Sequence, residues 1–253
     1  MLKDFLYEAD KIVSKLDDVG IIPMCKFKNN AVISGKSKDN SIIFSIVSKD
    51  EYTEQDFAFR DWTTVGSILS SFKNDENLSI EFKRIKNDED GLEYPSRLLF
   101  KTKSITIEHF LQRYSIIAKS PMVEKEFKNK KAIVLEPVGV VELNINDDIA
   151  SELSKISSIV NRPLFHFENI NGEFYYCFGD VGSKSTDFGK VVLGDIPELT
   201  ASTGLYFPID IVLTILKAMS YNCRVCVKGK ILFIFGEMEH SKIGISIAGK
   251  ASE

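Results

Sequence analysis

The stretch Asp61-Trp-Thr-Thr-Val-Gly-Ser-Ile-Leu-Ser-Ser-Phe-Lys-Asn-Asp-Glu-Asn-Leu-Ser-Ile-Glu-Phe82 decides how the rest of this chain is read. Asp61 stands as an N-cap before Trp62, Val65, Ile68, Leu69 and Phe72, which form one apolar face at helical spacing, so a helix is predicted over about 62–73. The Asn-Asp-Glu-Asn turn then hands over to an alternating strand at 78–83. The outward side of the helix, Thr63, Ser67, Ser70 and Asn74, is uncharged in a chain where 27% of residues are charged. A short helix followed by a strand recurs at 208–219 and 223–227, with Pro208 read as the first helical residue.

Working outward, the whole arrangement occurs twice, over about 2–118 and 133–249. The first copy opens with a helix at 2–17 whose apolar side is Leu2, Phe5, Ala9, Ile12, Val13 and Leu16, and whose polar side is Lys3, Tyr7, Lys11 and Ser14. Strands follow at 23–28, 31–36 and 41–47, then the quoted helix, then strands at 78–83, 97–101, 104–109 and 113–118, with 87–94 as a charged loop. The second copy opens with a strand at 138–143 and a helix at 147–160 capped by Asn146. Strands at 163–167, 173–178 and 188–193 precede the second short helix, and 223–227, 231–235 and 242–247 end the copy. The duplication predicts two domains, 1–118 and 132–253, joined by a charged connector at 119–131 that contains Pro121. Only 250–253 read as loose.

Composition narrows the function classes. A chain of 253 residues with 44% hydrophobic content can bury two ordinary cores. A net charge of -4 weighs against a strongly basic nucleic-acid footprint, although distribution matters more than the sum. No apolar run approaches the ~20 residues needed to span a bilayer, and acidic residues stand where a signal peptide would be basic, so a soluble intracellular protein is expected, with no membrane partner. Cys25, Cys177, Cys223 and Cys226 are too scattered for a disulfide framework. Cys223-Arg-Val-Cys226 has the spacing of half a zinc site, but it alternates within a strand and lacks a second pair, so buried thiols are expected and no metal.

The helix at 147–160 bears the most suggestive surface. With Ile149, Leu153, Ile156 and Val160 inward, Ser151, Ser154, Lys155 and Ser158 face outward with Arg162 just beyond, a strip without a carboxylate. Hydroxyls interleaved with cations suit a phosphate backbone, because they bind it without reading bases. Taken alone, such a strip reads more simply as a solvated helix face. The first helix offers Lys3, Lys11 and Ser14 beside Asp4 and Asp18, and the last offers Thr214 and Lys217 beside Asp210. Enzymatic motifs are poor. Ser34-Gly35-Lys36-Ser37 ends like a P-loop, but Asn30 occupies the first glycine position and strands surround it. His109, His166 and His240 lack partners at catalytic spacing, so no catalytic residue and no cofactor is expected.

These segments resemble the sliding clamps of replicative DNA polymerases, in the two-domain branch that contains proliferating cell nuclear antigen and the tailed-phage clamps. The quoted stretch 61–82 is similar to that family's second helix and following strand. Ser151-Glu-Leu-Ser-Lys-Ile156, Asn171-Gly-Glu-Phe-Tyr-Tyr-Cys-Phe-Gly179 and Phe188-Gly-Lys-Val-Val-Leu-Gly-Asp195 are similar to its helix and two strands of the second domain. Ser241-Lys-Ile-Gly-Ile-Ser-Ile-Ala-Gly-Lys250 resembles its last strand and ending. The resemblance covers nearly the whole chain in element order.

It implies an α+β clamp fold, two topologically similar domains each with two helices on one face of antiparallel sheets, and three protomers closing head to tail around duplex DNA. The DNA-facing residues would be Lys3, Lys11, Ser67, Ser70, Lys73, Ser151, Lys155, Ser158, Arg162 and Lys217. Ser67, Ser70 and Ser151 stand where several relatives carry Lys or Arg, so the lining would be less positive than usual. Edge strands at about 113–118 and 187–194 would pair across the protomer boundary. A pocket for a hydrophobic motif of the polymerase or clamp loader would involve Ile42, Met122, Val123, Ile247 and Ala248. The implied role is a non-catalytic processivity factor, of a virus or phage, in the host cytoplasm. The alternatives are a monomeric or dimeric processivity factor that grips DNA directly and, from another class, a small DNA-processing hydrolase.

Overall fold

The structure, a computed structural model, describes residues 2–16, 19, 22–86, 91–113, 134, 141–143, 145–179, 187–194 and 205–251. It divides into two compact units, Met1–Val134 with Met238–Ile243, and Leu135–Glu237 with Gly244–Glu253.

In the first unit α1 (Leu2–Val13) is followed by β1 (Ile22–Phe27), β2 (Asn30–Lys36), β3 (Ile42–Glu51), β4 (Phe57–Phe59), α2 (Trp62–Ser71), β5 (Ser79–Lys86), β6 (Glu93–Lys101) and β7 (Thr106–Arg113). Its strands lie in the hydrogen-bonded order β5-β6-β7-β4-β1-β2-β3. In the second unit β8 (Val141–Leu143) precedes α3 (Asp147–Val160), β9 (Leu164–Ile170), β10 (Glu173–Phe178), β11 (Gly189–Gly194), β12 (Leu205–Pro208), α4 (Ile209–Ala218), β13 (Cys223–Lys228), β14 (Ile231–Glu237), β15 (Ser241–Ala248), whose residues up to Ile243 group with the first unit, and β16 (Lys250–Ala251). Here β11-β10-β9-β12-β16 form one sheet, and β8 pairs with β13 and β13 with β14.

From α1 to β7 and from α3 to β15 the element order is the same. So is the pairing: β4 returns to β1 as β12 returns to β9. Asn171 and Gly172, at φ 58° and 92°, make the two-residue turn between β9 and β10, a conformation Asn and Gly adopt at least cost. The first core joins Phe5, Ala9 and Ile12 of α1 and Val65 and Leu69 of α2 to Ile33, Phe44, Ile46, Phe57, Phe59 and Phe100 from the strands. The second centres on Phe165, Phe167, Tyr176, Phe178 and Phe207, with Phe165 edge-on to Phe167 at 5.6 Å between ring centroids. Each such side chain contributes roughly 1.5–3 kcal/mol by leaving water, so each unit has an ample core of its own.

Several expectations shift. β4 and β12 were not predicted: Phe57-Ala58-Phe59 is buried on both faces and shows no alternation, and Leu205–Pro208 runs straight into α4. Pro208 is therefore the N-cap and last strand residue rather than the first helical one. The strand expected at 104–109 is β7 and runs unbroken from Thr106 to Arg113, while residues 114–118 of the strand expected at 113–118 lie outside the described ones. Glu93 and Tyr94, expected in a loop, begin β6. Lys250–Ala251 is not loose but pairs with Leu205 and Tyr206. Tyr7, expected on the polar side of α1, turns into the seam with α2 and donates its hydroxyl to the Leu69 carbonyl at 3.1 Å. The connector at 119–131 lies outside the described residues.

Candidate nucleic-acid interface

In the second unit α3 and α4 pack side by side and leave a groove of about 460 Å³. Asn146 caps α3 by accepting from Ile149 N at 2.9 Å, and Asn161 ends it in the left-handed conformation at φ 50°. The buried stripe is Ala150, Leu153, Ser157 and Val160. Ile149 and Ile156, also expected inward, are half-buried. Ser157 can be buried because its hydroxyl donates to the Arg162 carbonyl at 2.6 Å. Ile156 does face the sheet, against β11, where a Cβ on Gly189 would come within 2.3 Å of its Cγ2.

Ser151, Ser154, Lys155, Ser158, Arg162 and Lys217 are all exposed. Lys155 and Lys217 line the groove with Ser151, Ser154, Ser158 and Thr214. The groove is not free of carboxylate, since Asp147 also lines it. Burial and then Asp147 push the neighbouring Tyr221 phenol up. Ser158 donates to the Ser154 carbonyl at 2.9 Å, so it offers outward lone pairs rather than a proton, whereas Ser151 and Thr214 retain donors for a phosphate oxygen.

In the first unit the α1–α2 groove is larger, about 1060 Å³, and Lys15, Arg60, Ser14, Ser67 and Ser70 line it. Lys11, Ser67, Ser70 and Lys73 are exposed as expected, while Lys3 is half-buried and donates to the Asp75 carbonyl at 3.3 Å. Asp61 caps α2 by accepting from Thr63 N at 2.9 Å and Thr64 N at 3.4 Å. The side-chain hydroxyl of Thr64 holds the Asp61 carboxyl below the usual carboxylate range.

Asp10, Lys15 and Arg60 escaped the sequence reading. Asp10 accepts from Trp62 Nε1 at 2.9 Å across the helix pair. The clue in the sequence is Gly66: a glycine inside an amphipathic helix marks a close approach, and a Cβ there would lie 2.6 Å from Asp10 Oδ1. Asp18 lies outside the described residues.

Of the strand edges left open among the described residues, two are flanked by exposed apolar side chains. β11 pairs with β10 alone, and beside it Val192 is 51% and Ile159 of α3 66% exposed. In β7 residues 111–113 pair with β4, but 106–110 pair only with β6. Phe110 is 65% and Ile105 47% exposed there, and Ile105 and Ile107 form an apolar groove with Ile68 and Phe72 of α2. Among the described residues the open edge of the first unit is 106–110; Arg113 is paired with Phe57, and 114–118, the rest of the edge expected at 113–118, lie outside the described residues. The exposed edge β5 differs in kind: Lys83, Arg84 and Lys86 stud it and a register shift interrupts it at Lys83/Arg84, both of which discourage further pairing.

No protein-family model matches the sequence, nor does any curated protein sequence. Solved structures do. The chain is similar to A. fulgidus PCNA, in a complex with the C-terminal region of FEN-1, with 13% identity, TM-score 0.60, and 99% of this chain and 97% of that one covered. It is similar to a chain of the Sulfolobus tokodaii PCNA2–PCNA3 complex at 11% identity and TM-score 0.54, covering 99% and 97%. It is also similar to the H. pylori beta clamp in complex with diflunisal, at 13% identity and TM-score 0.61, where all of this chain covers 64% of the other. The chain has the DNA sliding-clamp fold.

The clamp fold's internal duplication allows residue-by-residue comparison of the two helix pairs. Matching the buried positions Ala9, Val13 and Leu16 to Leu153, Ser157 and Val160 sets Lys11 on Lys155, Ser14 on Ser158 and Asp10 on Ser154. Matching Val65, Ile68 and Leu69 to Val212, Ile215 and Leu216 sets Ser67 on Thr214, Ser70 on Lys217 and Gly66 on Leu213. A lysine at the centre of the outer helix face thus occurs in both copies of the clamp domain.

The pocket residues are less informative: Ile42 and Ile247 are buried, Ala248 is half-buried, and Met122 and Val123 lie outside the described residues. Cys25, Cys177 and Cys226 are buried and unbridged, and burial pushes the Cys177 thiol up to about 12, so these are packing residues. Ser34 to Lys36 lie within β2, far from the strand-to-helix turn a P-loop needs.

Proposed function

We propose that this chain is a sliding clamp, a ring of identical protomers that encircles duplex DNA and tethers a replicative polymerase without catalysing a reaction itself. The observation that carries this reading is the whole-length likeness to two-domain clamps, combined with the outer-face lysine on both helix pairs, Lys11 and Lys155. Hydroxyls and isolated cations offer a phosphate backbone many weak contacts and no base readout, which suits a protein that must slide.

The open edges of β7 and β11, each flanked by exposed apolar side chains, support head-to-tail association of copies. Two different edges form a heterologous contact, which closes into a ring when the rotation per protomer permits. The A. fulgidus structure, a complex with the C-terminal region of FEN-1, supports a surface for protein partners by analogy. A polymerase and an ATP-driven loader are the partners this role requires.

Solution mass tests the assembly. Light scattering at micromolar concentration is expected to give three times the 28.5 kDa chain mass. A monomer that binds linear DNA tightly would support a non-ring processivity factor instead.

A further inference from the structure

The two helix pairs are not electrostatically equivalent. At two matched groove positions the first unit has Asp10 and Ser70 where the second has Ser154 and Lys217; over the whole linings Asp10 and Asp61 offset Lys15 and Arg60 in the first groove, whereas Lys155 and Lys217 exceed Asp147 by one positive charge in the second. Asp10 is not a freely waving surface acid. Trp62 Nε1 donates to its Oδ1 at 2.9 Å, and Gly66, where the second copy has Leu213, leaves room for the carboxylate between the helices. Burial pushes its carboxyl above the ordinary range, and the Trp62 hydrogen bond and then Lys15 offset part of that effect. The carboxylate is therefore fixed in the groove of the helix pair that carries Lys11, where a phosphate would have to approach.

We propose that Asp10 repels the DNA backbone from the α1–α2 groove, so that the α3–α4 groove carries the phosphate contact and the first unit serves as a low-friction wall. This rests on the reading of both helix pairs as DNA-facing. It makes Asp10 a determinant of how tightly the clamp holds DNA, and places the closer contact on one half of each protomer.

The test measures affinity for a short linear duplex at low salt by fluorescence anisotropy, with the full chain. Asp10→Asn keeps the acceptor for Trp62 and removes the charge, and it is expected to bind about threefold tighter. Asp10→Lys is expected to gain about tenfold and to steepen the dependence of log K on log salt, by up to about 0.9 for each phosphate contact added. Asp10→Glu, which keeps the charge, is expected to bind like wild type. Trp62 is the only tryptophan of the chain, so unchanged emission reports that the helix pair has kept its packing. An equal gain in Asp10→Glu would overturn the proposal, as would affinities of Asp10→Asn and Asp10→Lys within twofold of wild type. In the second case Lys155→Glu with Lys217→Glu separates the two readings. If that variant weakens binding, only the role of Asp10 fails; if it does not, the DNA-facing reading fails too.

Discussion

Changing Lys155, Arg162 and Lys217 together to Glu is expected to abolish stimulation of the cognate polymerase. Each protomer then swings from three cations to three anions on the face proposed to meet DNA. All three side chains are exposed, so the fold has little reason to respond; surface changes of this kind usually cost within about 0.5 kcal/mol. The effect on DNA is of another order. Loss of backbone contacts reduces retention multiplicatively, and several like-charged contacts per protomer are expected to lower it at least about tenfold at moderate salt. Primer-extension length in the presence of the loader reads this directly, with circular dichroism and solution mass as controls. Lys103→Glu, in the exposed turn between β6 and β7, is the single-site comparison and is expected to act like wild type. Full stimulation by the triple variant would remove the DNA-facing assignment of α3 and α4.

The second large effect concerns assembly. Ile159→Asp with Val192→Asp places two carboxylates beside the open edge of β11, and Ile105→Asp with Phe110→Asp does the same beside the first half of β7. Burying an unpaired carboxylate in an apolar contact costs several kcal/mol, enough to dissociate a ring of ordinary stability. Each double variant is therefore expected to sediment as a folded monomer. The heterologous geometry adds a sharper expectation. Each variant keeps one sound edge, so an equimolar mixture should form a dimer that cannot close, rather than a trimer or separate monomers. Trimers of either double variant would show that association uses another surface.

The duplicated element order was legible in the sequence because the strongest signals are local. Asp61 and Asn146 mark helix starts, and the apolar faces of α1 and α2 keep helical spacing. Features that depend on a partner elsewhere in the chain were not legible. β4 and β12 are short and lack alternation, because both faces of Phe57-Ala58-Phe59 are covered by other elements. Ser157 lies in the buried stripe of α3 because its hydroxyl finds a carbonyl at the helix end, which no periodicity of hydrophobic residues could signal. Asp10 was hidden for the same reason: its meaning comes from Trp62 and Gly66 of another helix. The open edge at 106–110 was hidden likewise, because only the pairing of 111–113 with β4 leaves the first half of β7 uncovered on that side. The outer helix surfaces, by contrast, were read well, since exposure of Ser151, Lys155, Arg162 and Lys217 requires only that the opposite face be buried.

Encirclement is tested most directly by topology. The protein is loaded onto a nicked circular duplex, separated from free protein by gel filtration, and the circle is then cut once by a restriction enzyme. A ring is predicted to stay with the circle through the column and to leave when the duplex gains ends, with no change of salt. Retention on the linear product, or equal loss from the intact circle, would contradict it.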